Sequence, residues 1–306
     1  MRVAVTGLGV CTALGDDPHA VVSAIHGGRS ALRRPDGPRG ELPIDGLAEV
    51  DVDVRPFLRR RKDKKLLPRA AELAIPAARR ALGDLELDGI GCFLGVGREP
   101  PENETARAIL ASATDGELDP VKLGQDGLAL YPPLASLRTL PNLVLAHVAI
   151  QLGLTGEGAS VAGEGAVGLV AVVRACQAID EGRCRVALAG GADSLCHGAL
   201  ARDHVRAGRS YGVGEGAAWL RLEDPAHARA RGATVLAEII EVEARIGRVG
   251  TGAVEHRAAL GSCGAADGAL ALALSLCSTS AGRVALRDPS SQSAAIRWQP
   301  PPESPP

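Results

Sequence analysis

The sequence predicts an α/β fold, and three observations predict it. Short apolar runs bounded by glycine alternate with Ala-rich helical stretches. One strand–helix–strand unit is packed into residues 158–189, which implies a parallel sheet. The 306 residues hold 38 Gly and 20 Pro but only two Phe, two Tyr and two Trp, so Ala, Val, Leu and Ile must fill the core.

The elements follow in order. Arg2–Thr6 reads as a buried strand ended by a turn at Gly7-Leu8-Gly9. Asp16-Asp17-Pro18 starts a helix that runs to Gly27-Gly28. Residues 30–56 read as loop. A helical pattern spans Lys62–Leu82, with kinks or breaks expected at Pro68 and Pro76. Gly89–Gly97 is a second buried strand, and residues 98–135 are polar without a clear period. Leu140–Leu152 is a helix, Gly158–Ala162 a strand, Ala166–Ile179 a nearly all-apolar helix and Arg185–Ala189 a strand. Glu215–Glu223 and Thr234–Arg245 are strands joined by a helical turn. Ala265–Cys277 is a second apolar helix, Arg283–Leu286 and Ser293–Trp298 close as a hairpin, and QPPPESPP is a disordered or polyproline tail. An all-apolar helix needs cover on every side, so 166–179 and 265–277 are expected to lie between two sheets.

Charge and composition exclude several classes. Lys plus Arg is 34 and Asp plus Glu is 36, a net of −2 that does not suit a nucleic-acid binder. No apolar run reaches the roughly 18–20 residues that span a bilayer, and MRVAVTGLGV is too short for a secretory signal. Seven scattered Cys give neither a disulfide framework nor a CxxC metal site, and the His lack metal-ligand spacing. A reduced, cytoplasmic protein without metal or membrane attachment is expected. Thr6–Thr12 carries two glycines of a GxGxxG, but Thr12 stands where the third belongs and ALGDD breaks the helix that would receive a pyrophosphate. The segment is read as a structural turn, and no cofactor is implied.

RVAVTGLGVCTALG is one of five segments that point the same way. The others are Arg59–Leu82, PNLVLAHVAIQLGLTG at 141–156, VALAGGAD at 186–193 and VGEGAAWLRLE at 213–223. In this order they resemble the β-ketoacyl-acyl-carrier-protein synthases, the condensing enzymes of fatty-acid and polyketide synthesis. The resemblance implies a thiolase-like layered αβαβα fold with its second half truncated. It implies one domain over 1–298, family-like over 1–245 and shortened over 246–298, with a Pro-rich tail at 299–306.

It also says where the chemistry belongs. Active members place a Cys at the head of a buried helix, where the helix dipole lowers its pKa and the thiolate takes the acyl chain. Two His then assist decarboxylation, and a GFGGTN loop completes the oxyanion hole. Counting forward from His147 and back from Ala189 both lead to Gly165, which cannot be a nucleophile. Glu164 beside it is read as an electrostatic residue at a helix start. The family's KSxxGHxxGAAG corresponds to His256–Gly268, with Gly261 at the His position and His256 at the Lys position. No AHGTGT is present, and GFGGTN corresponds at best to Ser290-Ser291-Gln292-Ser293. Cys263 is the best alternative thiol, with a structural role as the plainer reading.

The cluster Arg59, Arg60, Arg61, Lys62, Lys64 and Lys65 reads either as a solvated helix start or as a docking patch for an acidic carrier protein. The resemblance therefore implies a catalytically degenerate member, similar to chain-length-factor-type subunits, as a homodimer or paired with an active ketosynthase. A weakly active or decarboxylating synthase stays open as the other reading.

Overall fold

The structure is a computed structural model that describes residues 1–85, 88–100, 103–131, 133–246, 256–287 and 292–302. Its first strand, β1 (Val3–Thr12), runs straight through the expected turn. Gly7 and Gly9 serve close packing instead. A Cβ at either would overlap a backbone carbonyl, that of Ala81 or of Ala77. Both carbonyls belong to the helix lying on the strand.

α1 (Pro18–His26) starts as expected, with the Asp17 carboxylate accepting the His19 N–H at 2.9 Å. The loop that follows contains only the short strand β2 (Leu47–Ala48) and two short 3-10 turns. The helical pattern breaks at Pro68, as expected, so the basic cluster does not open the long helix. Arg61–Leu66 is a 3-10 helix of its own, and α2 (Arg69–Leu82) begins only after Pro68. Pro68 favours extended backbone before it and so separates the two. Pro76 sits inside α2, where it removes one intrahelical hydrogen bond without ending the helix.

β3 (Gly91–Val96) is buried throughout. The unpatterned stretch then holds α3 (Asn103–Ala111), a hairpin of β4 (Ala113–Thr114) and β5 (Glu117–Leu118), and the short helices α4 (Pro120–Lys122), α5 (Leu128–Leu130) and α6 (Ser136–Thr139). α7 (Asn142–Leu152), β6 (Gly158–Ala162) and α8 (Val167–Asp180) follow close to their expected bounds, while β7 (Val186–Ser194) runs five residues past the expected end at Ala189. Next come α9 (Gly198–Arg206), β8 (Val213–Glu223), α10 (Pro225–Ala230) and β9 (Ala237–Ile246). α11 (Arg257–Leu260), α12 (Asp267–Ser278), β10 (Gly282–Arg287) and β11 (Gln292–Gln299) complete the chain. Gln299 thus belongs to the last strand, and residues 303–306 of the expected tail lie outside the described residues.

The strands join in the order β10-β11-β9-β1-β8-β7-β3-β6, with β2 beside β8. β3 pairs parallel with both β6 and β7, so the strand–helix–strand reading of 158–189 stands, with β3 inserted between its two strands. The two sheets expected around the apolar helices are two wings of one continuous sheet. β1 pairs with β8 from Ala4 to Thr12 but with β9 only from Val3 to Val5, and the wings diverge from there. α8 packs against β3 and β7 of one wing and against β9 and β11 of the other. Its side chains share a core with Val3, Val5 and Phe93 on one side and Ile239, Ile296 and Trp298 on the other. Each fully buried Val, Leu or Ile there contributes about 1.5–3 kcal/mol. α2 and α7 cover the opposite face of the first wing, over Leu94, Leu188 and Trp219.

Candidate active site region

The parallel strands β6, β3 and β7 all end at one place, where a cavity of about 720 Å³ opens. A crevice beyond the carboxyl ends of parallel strands is the usual ligand position in α/β sheets. Gly97 follows β3, Gly163 to Gly165 follow β6, and Asp193 lies near the end of β7; all line the cavity. The head of α8 starts here. No side chain caps it, and no acidic residue lies in its first turn. Its first N–H, that of Val167, donates to the Glu164 carbonyl oxygen at 3.1 Å.

Gly165 stands just before this helix head and lines the cavity. A Cβ added there would meet Arg257 Nη2 at 3.5 Å and the Asp267 Cβ at 3.8 Å, which are ordinary contacts. The position has room for a side chain and carries none. Glu164 beside it is half exposed, and its Oε2 accepts from Arg209 Nη2 at 2.9 Å. Gly261 is the opposite case. Its φ is +69°, and a Cβ would lie 2.6 Å from the Val213 carbonyl carbon. No side chain fits that backbone without a shift, so Gly261 is fixed by local packing.

Asp267 anchors the floor. It is fully buried and receives five donors. Arg257 Nε and Nη2 donate to Oδ2 at 3.0 and 2.7 Å, and Ser262 Oγ at 3.0 Å. The Cys263 N–H donates to Oδ1 at 2.8 Å, and His256 Nε2 lies 3.2 Å from the same oxygen. Burial alone would raise the carboxyl pKa, but the His256 hydrogen bond and the Arg257 charge outweigh it and hold it at about 2. His256, at the position matched to a lysine, is thus a buried partner of Asp267. Asp193 is held differently. It accepts the N–H groups of Ser194 at 2.8 Å and Ala265 at 2.9 Å, and burial pushes its pKa up to about 7.

α9 supplies the far wall. His204 is 4% exposed. Its ring meets Tyr211 edge-on at 4.6 Å, and the Arg257 guanidinium lies 5.6 Å from the same Tyr211 ring. Burial, then the Arg209 charge, lowers the His204 pKa to about 4.

No cysteine lines the cavity. Cys263 is fully buried, and burial pushes its thiol well above the usual range, so it is held as an inert apolar residue. His147 bonds the Leu137 carbonyl oxygen at 3.3 Å from within α7. Of the proposed loop counterpart, Ser290 and Ser291 lie outside the described residues, and Gln292 and Ser293 open β11. Arg59, Arg60, Arg61, Lys62, Lys64 and Lys65 do not line the cavity. Arg59 is tied to α7 through its N–H and Gln151 Oε1 at 2.7 Å, and Lys64 lies 4.0 Å from Glu72. The other cluster side chains are solvent-facing.

Sequence reasoning placed Gly165 and missed Asp193, His204, Arg209, Tyr211, Arg257 and Asp267. One signal was available: Asp267 is the lone acid in the apolar run GAADGALALAL. Arg257 and His204 had none, because only the fold brings them together.

Among the described residues no helix is long and apolar enough to cross a membrane. The comparisons with known proteins place the chain in a family. The sequence model of the β-ketoacyl synthase N-terminal domain matches residues 1–212. Nodulation protein E of Rhizobium meliloti is 30% identical over 268 residues, covering 79% of this chain and 62% of that protein. The chain thus spans about three-fifths of the length of such relatives. Among solved structures, the ishigamide ketosynthase/chain length factor superposes with a TM-score of 0.78 at 18% identity, over 98% of this chain and 99% of that one. A type II polyketide synthase acyl-carrier protein in complex with its ketosynthase, AntDE:AntF, gives 0.77 at 16% identity, over 97% and 99%. These two likenesses speak for the thiolase-like fold, which continues past residue 212 into the C-terminal hairpin. With its first 212 residues matched and the fold shared throughout, the chain belongs to the β-ketoacyl synthase family.

Proposed function

We propose that this chain is a ketosynthase-like subunit of fatty-acid or polyketide biosynthesis that does not itself condense acyl chains and pairs with an active β-ketoacyl synthase. The observation that carries this reading is the head of α8. Gly165, just before that helix, lines the cavity where the family's nucleophile belongs, and no thiol lines it. Without a thiolate there is no acyl-enzyme and no condensation through one. Gly261, matched to a catalytic His, is also held in a backbone shape that excludes a side chain.

Pairing needs none of those groups. Among the described residues β6 is the last strand of the sheet, and the family resemblance implies pairing through this strand. Two structural neighbours, a ketosynthase/chain length factor and a ketosynthase with its carrier protein, support the same kinds of partner. On this reading Arg59, Arg60, Arg61, Lys62, Lys64 and Lys65 form the surface that meets an acidic carrier protein. Co-expression with an active synthase from the same source tests the proposal. The two should co-purify, and the length or yield of the product should change. Neither association nor a change in product overturns it.

A further inference from the structure

We propose that the free edge of β10 takes up one extended segment of a partner protein, in which acidic and apolar residues alternate. This goes beyond the pairing role and does not rest on it, because β10 and β6 lie at opposite ends of the sheet.

The first support is the backbone. β10 pairs with β11 from Gly282 to Arg287 and, among the described residues, with no strand on its other side. In an antiparallel pair, alternate residues turn their N–H and C=O groups away from the partner. Every second residue of this six-residue strand therefore offers both groups to an open edge. Such a row is a template for another strand.

The second is the charge pattern. Val284 and Leu286 share the inner face of β10, where they join the core around α8. Arg283, Ala285 and Arg287 share the outer face, and its charges can be followed across the strands. Arg297 of β11 pairs with Glu241 of β9 at 2.8 Å, and Arg245 of β9 pairs with Glu243. Both acids that β9 places on this face are thus engaged. Arg283 lies opposite Arg297, and Arg287 lies opposite Ser293, which itself lies opposite Arg245. Arg283 and Arg287 are exposed and have no ion pair among the described residues. Two positive charges remain at the rim of the sheet. Opposite charges directly across a ladder attract and like charges repel, so the position beyond each arginine selects a carboxylate. The same charges disfavour a second copy, since two β10 strands paired antiparallel about Ala285 would set Arg283 against Arg287 twice.

The third is the trough beside that edge. β10, α12 and α1 wall a space of about 590 Å³. α12 contributes Ala271, Leu274 and Ser275, and α1 contributes Val22 and Ile25, each set at the spacing of one helix face. No acid lines the trough. Its apolar walls suit the side chains that alternate with the acids of an added strand.

The test measures binding of a fluorescein-labelled peptide, Thr-Glu-Val-Thr-Val-Glu-Thr, to the whole chain by fluorescence anisotropy at low salt. One control carries Lys in place of both Glu. The other carries Pro-Pro in place of the central Thr-Val, so that one lost N–H must be one aimed at β10. The acidic peptide should bind about ten-fold more tightly than either control. Its binding should slow amide hydrogen exchange within residues 282–287. Arg283→Glu combined with Arg287→Glu, both at exposed positions, should invert the order in favour of the Lys peptide. Equal binding of the Glu peptide and either control overturns the proposal, as does an unchanged order in the double variant. So does absence of binding at millimolar peptide, or protection of 282–287 that rises with protein concentration alone, the mark of a second copy. None of these outcomes bears on pairing through β6.

Discussion

Arg257 and Asp267 are joined through one oxygen. Both Nε and Nη2 of the guanidinium donate to Oδ2 of a fully buried carboxylate, at 3.0 and 2.7 Å. This pair connects α11 to the first turn of α12 and sits directly beside Gly165.

Asp267→Asn keeps the shape and removes the charge. It should destabilise the fold by about 3 kcal/mol, since a buried ion pair that loses one partner leaves the other uncompensated. The pH dependence has a defined sign. The folded carboxyl lies at about 2, below its ordinary 3.8, so its contribution is present above about pH 4 and is lost as pH falls toward 2. Urea unfolding at pH 7 and pH 3 checks both. The gap between wild type and variant should narrow at the lower pH.

Asp193 has the opposite sign. Its folded pKa is raised to about 7, so its contribution is full below about pH 4 and is lost as pH rises through 7. The stability of wild type relative to Asp193→Asn should fall between pH 4 and 7 and then level. A flat difference over that range would refute the burial assigned to this carboxyl.

Gly165→Cys should fold with little loss of stability, because nothing crowds its Cβ closer than 3.5 Å. The new thiol would face the cavity between Arg257 and Asp267, whose opposite charges offset each other there. Iodoacetamide should alkylate it while the buried cysteines stay unmodified. Condensation should still be absent. A thiol at 165 that resists alkylation in the folded chain would contradict the placement of this residue.

Gly261→Ala should cost at least about 1–3 kcal/mol, through both its positive φ and the clash with Val213. An unchanged melting temperature would show that the backbone there is free to relax. The two glycines therefore differ in kind: one leaves a place for a side chain and the other is required by the fold.

Much of the fold was legible in the residues. The parallel unit at 158–189, the two apolar helices and the closing hairpin follow from apolar periodicity and glycine punctuation. What failed was contact-dependent. Gly7 and Gly9 resemble a turn in one dimension, but they exist because α2 presses its carbonyls onto β1. The basic cluster resembles a helix start until Pro68 forces extended backbone and isolates it as a 3-10 turn. Gly165 could be placed by counting, since α8 and its flanking strands preserve spacing. His204, Tyr211 and Arg257 could not, because they come from separate segments that meet only when the loop after α9 folds back over α11 and α12.

The most direct measurement is intact-protein mass spectrometry after incubation with an acyl-loaded carrier protein. The account predicts an unchanged mass at every time point. A covalent acyl adduct on any cysteine of the wild-type chain would contradict it.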